Sequence, residues 1–243
     1  MESTAPQADI PHLLKGQKAI VTGGSSGIGK GIAIGLAQAG ADVVINYHSK
    51  QEEAEEVAKV VKSHGARALC VQADVSQEEQ VLSMFAEAKK SFGRVDILIN
   101  NAGLQQDSPF PEMTLEKWNR VIGINLTGQF LCAREAVKAF LNQEKGPSVA
   151  AGKILCISSV HEVIPWTNHA NYATSKGGIH MLMQSMAQEL APKKIRVNSI
   201  GPGAIRTPMA ASERQRTSRE LLFFSPQISP TTSTVLRFLS MGE

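Results

Sequence analysis

Two side chains four residues apart, Tyr172 and Lys176 in the run NYATSKGG, pair a weak acid with a fixed cation. On a helix, residues at this spacing share a face, so the ammonium can stand near the phenol oxygen. At roughly 5 Å and an effective dielectric of about 20, a unit charge favours the phenolate by on the order of 3 kcal/mol, or about two pKa units. A phenol lowered in this way can take the proton of an alcohol while hydride leaves the same carbon for an acceptor. Taken alone, the pair also fits a helix face turned to solvent. Two further residues narrow the choice. Ser159 closes the run KILCISS before Tyr172 and can hydrogen-bond the same substrate oxygen as charge develops on it, although a serine turn would explain it too. Asn125, in VIGINLTGQF, is a polar residue inside an apolar helical stretch, where it can break the helix ladder and hold a water linked to Lys176. The overlapping NLT matches a glycosylation sequon, a reading that a helix in a cytoplasmic protein disfavours.

A hydride acceptor needs a cradle, and the run AIVTGGSSGIGKGIAIGLAQAG offers one: a strand, a turn with Gly23, Gly27 and Gly29, then an apolar-periodic helix. Glycines let backbone approach a pyrophosphate closely, and free N–H groups at a helix N-terminus meet its charge. A turn with packing duties alone would use the same glycines. The second strand ends INYHSK, where Asn46, Tyr47, His48 and Ser49 bear no formal negative charge and Lys50 follows. An adenosine 2′-phosphate would meet no carboxylate from this stretch, which admits NADP as well as NAD. At the end of the third strand, Asp74 can accept from an adenine amino group with Val75 over the ring, or simply cap the next helix. At the fourth strand end, INNAG puts Asn101, Ala102 and Gly103 where small residues and an amide can line an adenosine pocket, or form a turn.

The elements that must position these residues follow from hydrophobic patterning. KAIVTGG, DVVINY, RALCVQAD, VDILINNAG, KILCISS and IRVNSIGPG read as strands, with helical lengths between them. Nearly continuous apolar strands imply burial on both faces, hence a parallel sheet with helices above and below, a doubly wound Rossmann-type α/β fold. Ligands then collect beyond the strand C-termini where the strand order reverses. The chain of 243 residues, 42% hydrophobic and 19% charged, suits a single domain over residues 17–210, preceded by an extension at 1–16. A net charge of +3 on scattered basic residues gives no case for nucleic acid. The N-terminus lacks a signal-peptide core and no apolar run approaches a membrane span, so a cytoplasmic protein without membrane contact is expected. Three isolated cysteines and six dispersed histidines lack metal-ligand spacing, and no structural metal is expected.

Taken in order, TGGSSGIG, NNAG, Asn125, Ser159, YATSK and GPG resemble the short-chain dehydrogenase/reductase family over about residues 15 to 210. The resemblance implies a nicotinamide-binding enzyme in which Tyr172 is the acid/base and Lys176 tunes it and binds the nicotinamide ribose. It also implies that Ser159 positions the carbonyl or hydroxyl and Asn125 supports a proton relay. Ser25 and Ile28 join the glycines of the phosphate turn, and Pro202, Gly203, Ile205 and Thr207 lie against the carboxamide and phosphates. The runs GINLTG, SSVHEVIPW and IRVNSIGPGAIRTP resemble most closely the glucose 1-dehydrogenases, which implies oxidation of the anomeric hydroxyl of D-glucose to gluconolactone by NAD or NADP. His161, Glu162, Gln105 and Asn168 are then candidates for hydrogen bonds to the sugar at the cleft mouth, and each serves equally as a solvated loop residue. A 3-oxoacyl-carrier-protein reductase or other ketone reductase shares every catalytic motif, and a dinucleotide-binding protein without catalysis is the reading from another class.

After Met209 the resemblance stops. The tail at 211–243 is rich in serine, threonine and arginine, and its abrupt change of character suggests a shifted reading frame or a truncation. A seventh strand, and with it much of the surface that builds family tetramers, is expected to be missing. Weak or no turnover is the expected result.

Overall fold

The computed structural model describes residues 12–203. All six strands expected from the sequence form: β1 Lys18–Val21, β2 Asp42–Tyr47, β3 Ala68–Gln72, β4 Ile97–Asn100, β5 Gly152–Ile157 and β6 Ile195–Ile200. They pair in parallel throughout, in the order β3-β2-β1-β4-β5-β6. A parallel neighbour is reached only by a crossover, and six helices serve the connections: α1 Gly27–Gln38, α2 Gln51–Ser63, α3 Glu78–Phe92, α4 Leu115–Ile122, α5 Gly128–Leu141 and α6 Ala170–Leu190. The first half of the chain builds outward from β1 in one direction and the second half in the other. Strand order therefore reverses between β1 and β4, where Val21 stands beside Ile99, and the loops beyond them flank a crevice.

Alternation along the strands sends two apolar sets to opposite faces. Ile20, Val44, Leu98, Ile154 and Val197 meet α3, α5 and α6 through Met84, Phe85, Leu131, Phe140, Ile179 and Met183. Val21, Val43, Ile45, Ile97 and Ile99 belong to the other face, with Ala33 and Ala37 of α1 and Val57 and Val61 of α2. Burial on both faces is why the central strands read as unbroken apolar runs.

One connection is unusual. α4 and α5 form a single column joined by a π-helical turn, Gly123–Thr127, with helical backbone angles on both sides of it. The column starts from Thr114, whose hydroxyl accepts from Lys117 N–H at 3.2 Å, an N-cap that fixes its entry beside the crevice. Within the described residues β6 is the last strand of the sheet. The expectations for residues 1–11, for the tail at 211–243 and for a missing seventh strand lie outside the described residues.

Candidate active site

At the β1 end, the turn to α1 is held open for a ligand by backbone shape. Gly23 (φ 60°) and Gly27 (φ 54°) are left-handed, a conformation costly for other residues. Gly29 is needed for a different reason: a Cβ there would stand 2.3 Å from the Gly23 carbonyl oxygen and 2.5 Å from Asn101 Nδ2. The turn is tied to its neighbours on both sides. Asn101 Nδ2 donates to the carbonyls of Thr22 (2.9 Å) and Gly23 (3.1 Å), while the amides of Asn101 and Ala102 donate to Thr22 Oγ1 at 2.9 and 3.0 Å. α1 carries no acid in its first turn, so its positive N-terminal end, beginning beside Ser25 and Ile28, is left to an anion.

The second strand end supports the glycine turn. Asn46 is 2% exposed and its amide points into the fold, accepting from Gly23 N–H at 3.1 Å and donating to the carbonyls of Val71 (3.3 Å) and Ala73 (3.0 Å). It braces the glycine turn from below. The exposed positions at this strand end are His48, Ser49 and Lys50. Asp74 closes the turn ahead of α3 without capping the helix, its Oδ1 accepting from Ser76 N–H (2.9 Å) and Oγ–H (2.7 Å), while its Oδ2 lies 3.9 Å from His48 Nε2. Val75 is buried against Gly128 at the start of α5, and Gly103 lies against the Asn125 amide.

At the β5 end the site is built on charge. Tyr172 and Lys176 share one face of α6, with Lys176 Nζ 5.4 Å from the phenol ring centroid. The ammonium donates to the Ile157 carbonyl at 3.0 Å, at the end of β5. Burial pushes it down to about 8 from its ordinary 10.5, against an opposing pull from the Glu162 carboxylate. Ser159 is buried and opens a 3-10 turn, Val160–Glu162, its Oγ accepting from His161 N–H at 3.2 Å. The break that Asn125 was expected to make in its helix is the π turn itself. Asn125 is wholly buried there: Oδ1 accepts from Leu104 N–H (2.8 Å), and Nδ2 donates to the Leu104 carbonyl (2.9 Å) and to Ser175 Oγ (3.1 Å). Ser175 in turn donates to the Tyr172 carbonyl at 2.7 Å, so Asn125 joins the loop after β4 to the helix turn that carries Tyr172 and Lys176. The Pro202 carbonyl accepts from Val160 N–H at 3.1 Å, which fixes the β6 end beside Ser159, and Gly203 follows it. Ile205 and Thr207 lie outside the described residues.

The residues considered for a sugar divide. His161 stacks on Trp166 at 4.3 Å between centroids, Trp166 stacks on His169 at 3.7 Å, and the indole meets the Tyr172 ring edge-on at 6.3 Å. Asn168 has φ 66° and its carbonyl accepts from Ser108 N–H at 2.9 Å, clipping the loop near Gln105, which is partly buried. Glu162 departs from its expected place: its side chain is 1% exposed and lies 3.3 Å from His180 Nδ1, turned to α6 instead of to an open cleft mouth. The aromatic stack and His180 escaped the sequence reading. For His180 a signal existed, since it repeats the four-residue spacing of Tyr172 and Lys176 along α6. Among the described residues no group of three or more His, Cys, Asp or Glu stands together as a metal site, and no helix is long and apolar enough to cross a membrane.

The family described as short chain dehydrogenase matches residues 17–218. The chain belongs to this family. The match runs beyond Met209, where the motifs gave out. Among curated relatives, the chain is similar to 3beta-hydroxysteroid dehydrogenase 1 of Eggerthella lenta, 44% identical over 200 residues that make up 82% of this chain and 75% of the relative. Glucose 1-dehydrogenase 2 of Bacillus subtilis is 41% identical over 208 residues, 85% of this chain and 79% of the relative. Among solved structures, a short chain dehydrogenase from Burkholderia cenocepacia in complex with NADP superposes with a TM-score of 0.75 at 32% identity, over 81% of this chain and 78% of that one. The short-chain dehydrogenase is thus an oxidoreductase on the doubly wound fold read from its strands.

Proposed function

We propose that this short-chain dehydrogenase oxidises the anomeric hydroxyl of D-glucose to gluconolactone, with Tyr172, Lys176, Ser159 and Asn125 as the working residues. The observation that carries the proposal is the buried Lys176 ammonium on the same face of α6 as the Tyr172 phenol, beside the strand end that bears Ser159. The cofactor is NAD or NADP. The residues present fit it, because the turn at Gly23, Gly27 and Gly29 leaves a cradle that a Cβ would fill, at the positive end of α1. When bound, its nicotinamide ring accepts or returns hydride. Asn101, Ala102, Gly103 and Val75 would line the adenosine end, with Pro202 and Gly203 near the carboxamide.

Tyr172 takes the proton of the substrate hydroxyl. Lys176 favours the phenolate by its charge, and the low-dielectric surroundings that lower its own proton affinity also strengthen that effect. Ser159 donates to the substrate oxygen, steadying it as the carbonyl forms. Asn125 holds the Leu104 and Ser175 groups that set this helix turn in place. Glucose as the substrate rests on the local runs SSVHEVIPW and NYATSKGG and on the likeness to the Bacillus subtilis protein.

A steroid alcohol is the second reading. It is favoured by the likeness to the Eggerthella lenta protein and by the exposed Val163 and Ile164 in the loop between Ser159 and Tyr172. Purified protein offered D-glucose, a 3β-hydroxysteroid and a 3-oxoacyl thioester, each with NAD(H) and NADP(H), separates these readings by nicotinamide absorbance. Glucose-dependent reduction supports the first, and turnover confined to another substrate overturns it. The departure after Met209 is expected to weaken turnover, so the assay includes a version with a family-like C-terminus. A cytoplasmic location, one nucleotide-binding and catalytic unit over residues 17–210, and a family-like tetramer weakened by the tail complete the proposal. Sedimentation velocity reads the last of these.

A further inference from the structure

Lys176 sits at a cost in a buried place, and the surrounding groups decide whether it stays charged. Among the described residues, the groups that face it come from β5, α6 and the turn after Ser159. On β5, Cys156 is buried and its thiol is pushed up to about 12, so it is neutral throughout the range in which Lys176 titrates and adds no charge. On α6, Tyr172 precedes it by one turn and His180 follows by one turn. From the turn after Ser159 comes Glu162, whose carboxylate pulls Lys176 toward its charged form. His161 of the same turn is directed elsewhere, its Nδ1 3.0 Å from the Ile164 carbonyl and its ring on Trp166.

The carboxylate of Glu162 is 1% exposed and 3.3 Å from His180 Nδ1, while the His180 side chain keeps 23% exposure. Taking a carboxylate out of water is unfavourable unless a partner of opposite charge compensates it. Here the His180 imidazole lies beside the carboxylate at the solvent edge, and Lys176, one turn back along the same face of α6, lies on the side of the site. The Glu162–His180 contact also joins the two halves of the reacting end. Glu162 belongs to the turn that Ser159 caps, and His180 belongs to the helix that carries Tyr172 and Lys176.

We propose that Glu162 is a positioning residue that keeps the Lys176 ammonium charged and locks the Ser159 turn to α6, with His180 as its counter-group at the solvent edge. This rests on the reading of Lys176 as the cation that serves Tyr172. It assigns the Glu162 carboxylate to the lysine and takes it away from substrate binding.

The test measures the lysine itself. In full-length protein labelled at lysine Cε, with the Lys176 signal assigned by Lys176→Met, the NMR titration midpoint of Lys176 is compared between wild type and Glu162→Gln. Loss of the carboxylate disfavours the ammonium, so the midpoint should fall by about one pH unit, and the alkaline limb of kcat should fall with it. His180→Gln, which keeps the carboxylate but frees it, should shift the midpoint less and His180→Lys should restore it. An unchanged midpoint in Glu162→Gln, with only a lower Tm, overturns the proposal and leaves a structural ion pair. A shifted midpoint without any change in the kcat profile supports the role of Glu162 and counts instead against Lys176 as the cation of the reaction. If Glu162→Gln does not fold, the His180 pair decides: identical midpoints in His180→Gln and wild type overturn the proposal.

Discussion

The two ends of the crevice solve different problems. At the β1 end, polar side chains are spent on the protein: Asn46, Asn101 and Thr22 all bond to backbone, and the working surface is backbone with side chains removed. At the β5 end, the working groups are side chains, and one of them is a cation held in the interior. The first end is relaxed and shaped, while the second is electrostatically uphill. A single fold can therefore hold a dinucleotide by geometry and run proton chemistry by field.

The largest effect that tests this contrast is Tyr172→Phe, which should lower kcat by about 10³- to 10⁴-fold while leaving the dinucleotide Kd within about threefold. Steady-state kinetics beside calorimetric cofactor binding would read both, and equal loss of the two would erase the distinction between the ends. Lys176→Met should abolish turnover yet stabilise the fold, on the order of 3 kcal/mol at neutral pH, because the folded ammonium titrates near 8 and the unfolded one near 10.5. The Ile157 carbonyl would keep a partner in Gln129 Nε2 at 3.3 Å. Between these two values the unfolded chain binds more protons than the folded chain, so wild-type stability rises with pH and the gap to the variant closes. Denaturant melts from pH 7 to 10.5 should show that convergence, and parallel curves would refute it.

At the shaped end, Gly29→Ala forces a Cβ onto the Gly23 carbonyl and the Asn101 amide. It should cost about 1–3 kcal/mol, read as up to a hundredfold weaker dinucleotide binding with little change in the pH profile of residual turnover. The smallest effect is Asp74→Ala. It removes the two bonds to Ser76 and should lower stability by about 1 kcal/mol, measured as a shift in the denaturant midpoint.

The strands were legible because burial on two faces leaves apolar runs that polar loops interrupt, and all six are where those runs stand. The glycine turn and the Tyr172, Lys176 and Ser159 set were legible because residue type and spacing both point to chemistry. The inward place of Asn46 follows from alternation, which puts it on the same face as Val44, and it bonds to groups just beyond β1 and β3. Glu162 was misplaced because its burial depends on His180, eighteen residues on, and a loop sequence does not reveal which helix it will turn toward. The stack of Trp166 between two histidines is non-periodic, so no pattern announces it.

The wide turn at Gly123–Thr127 acts as a phase setter. Each residue in an α-helix advances the direction of its side chain by about 100°. The π turn absorbs one residue more than an α-helical turn, so deleting one residue there would let the column close into an ordinary helix with the positions downstream still on their present faces. Gly128 would keep its seat on Val75, and Leu131 and Cys132 would stay against the sheet. The same deletion inside α5 has no such slack and would turn every later side chain of that helix by the full angle.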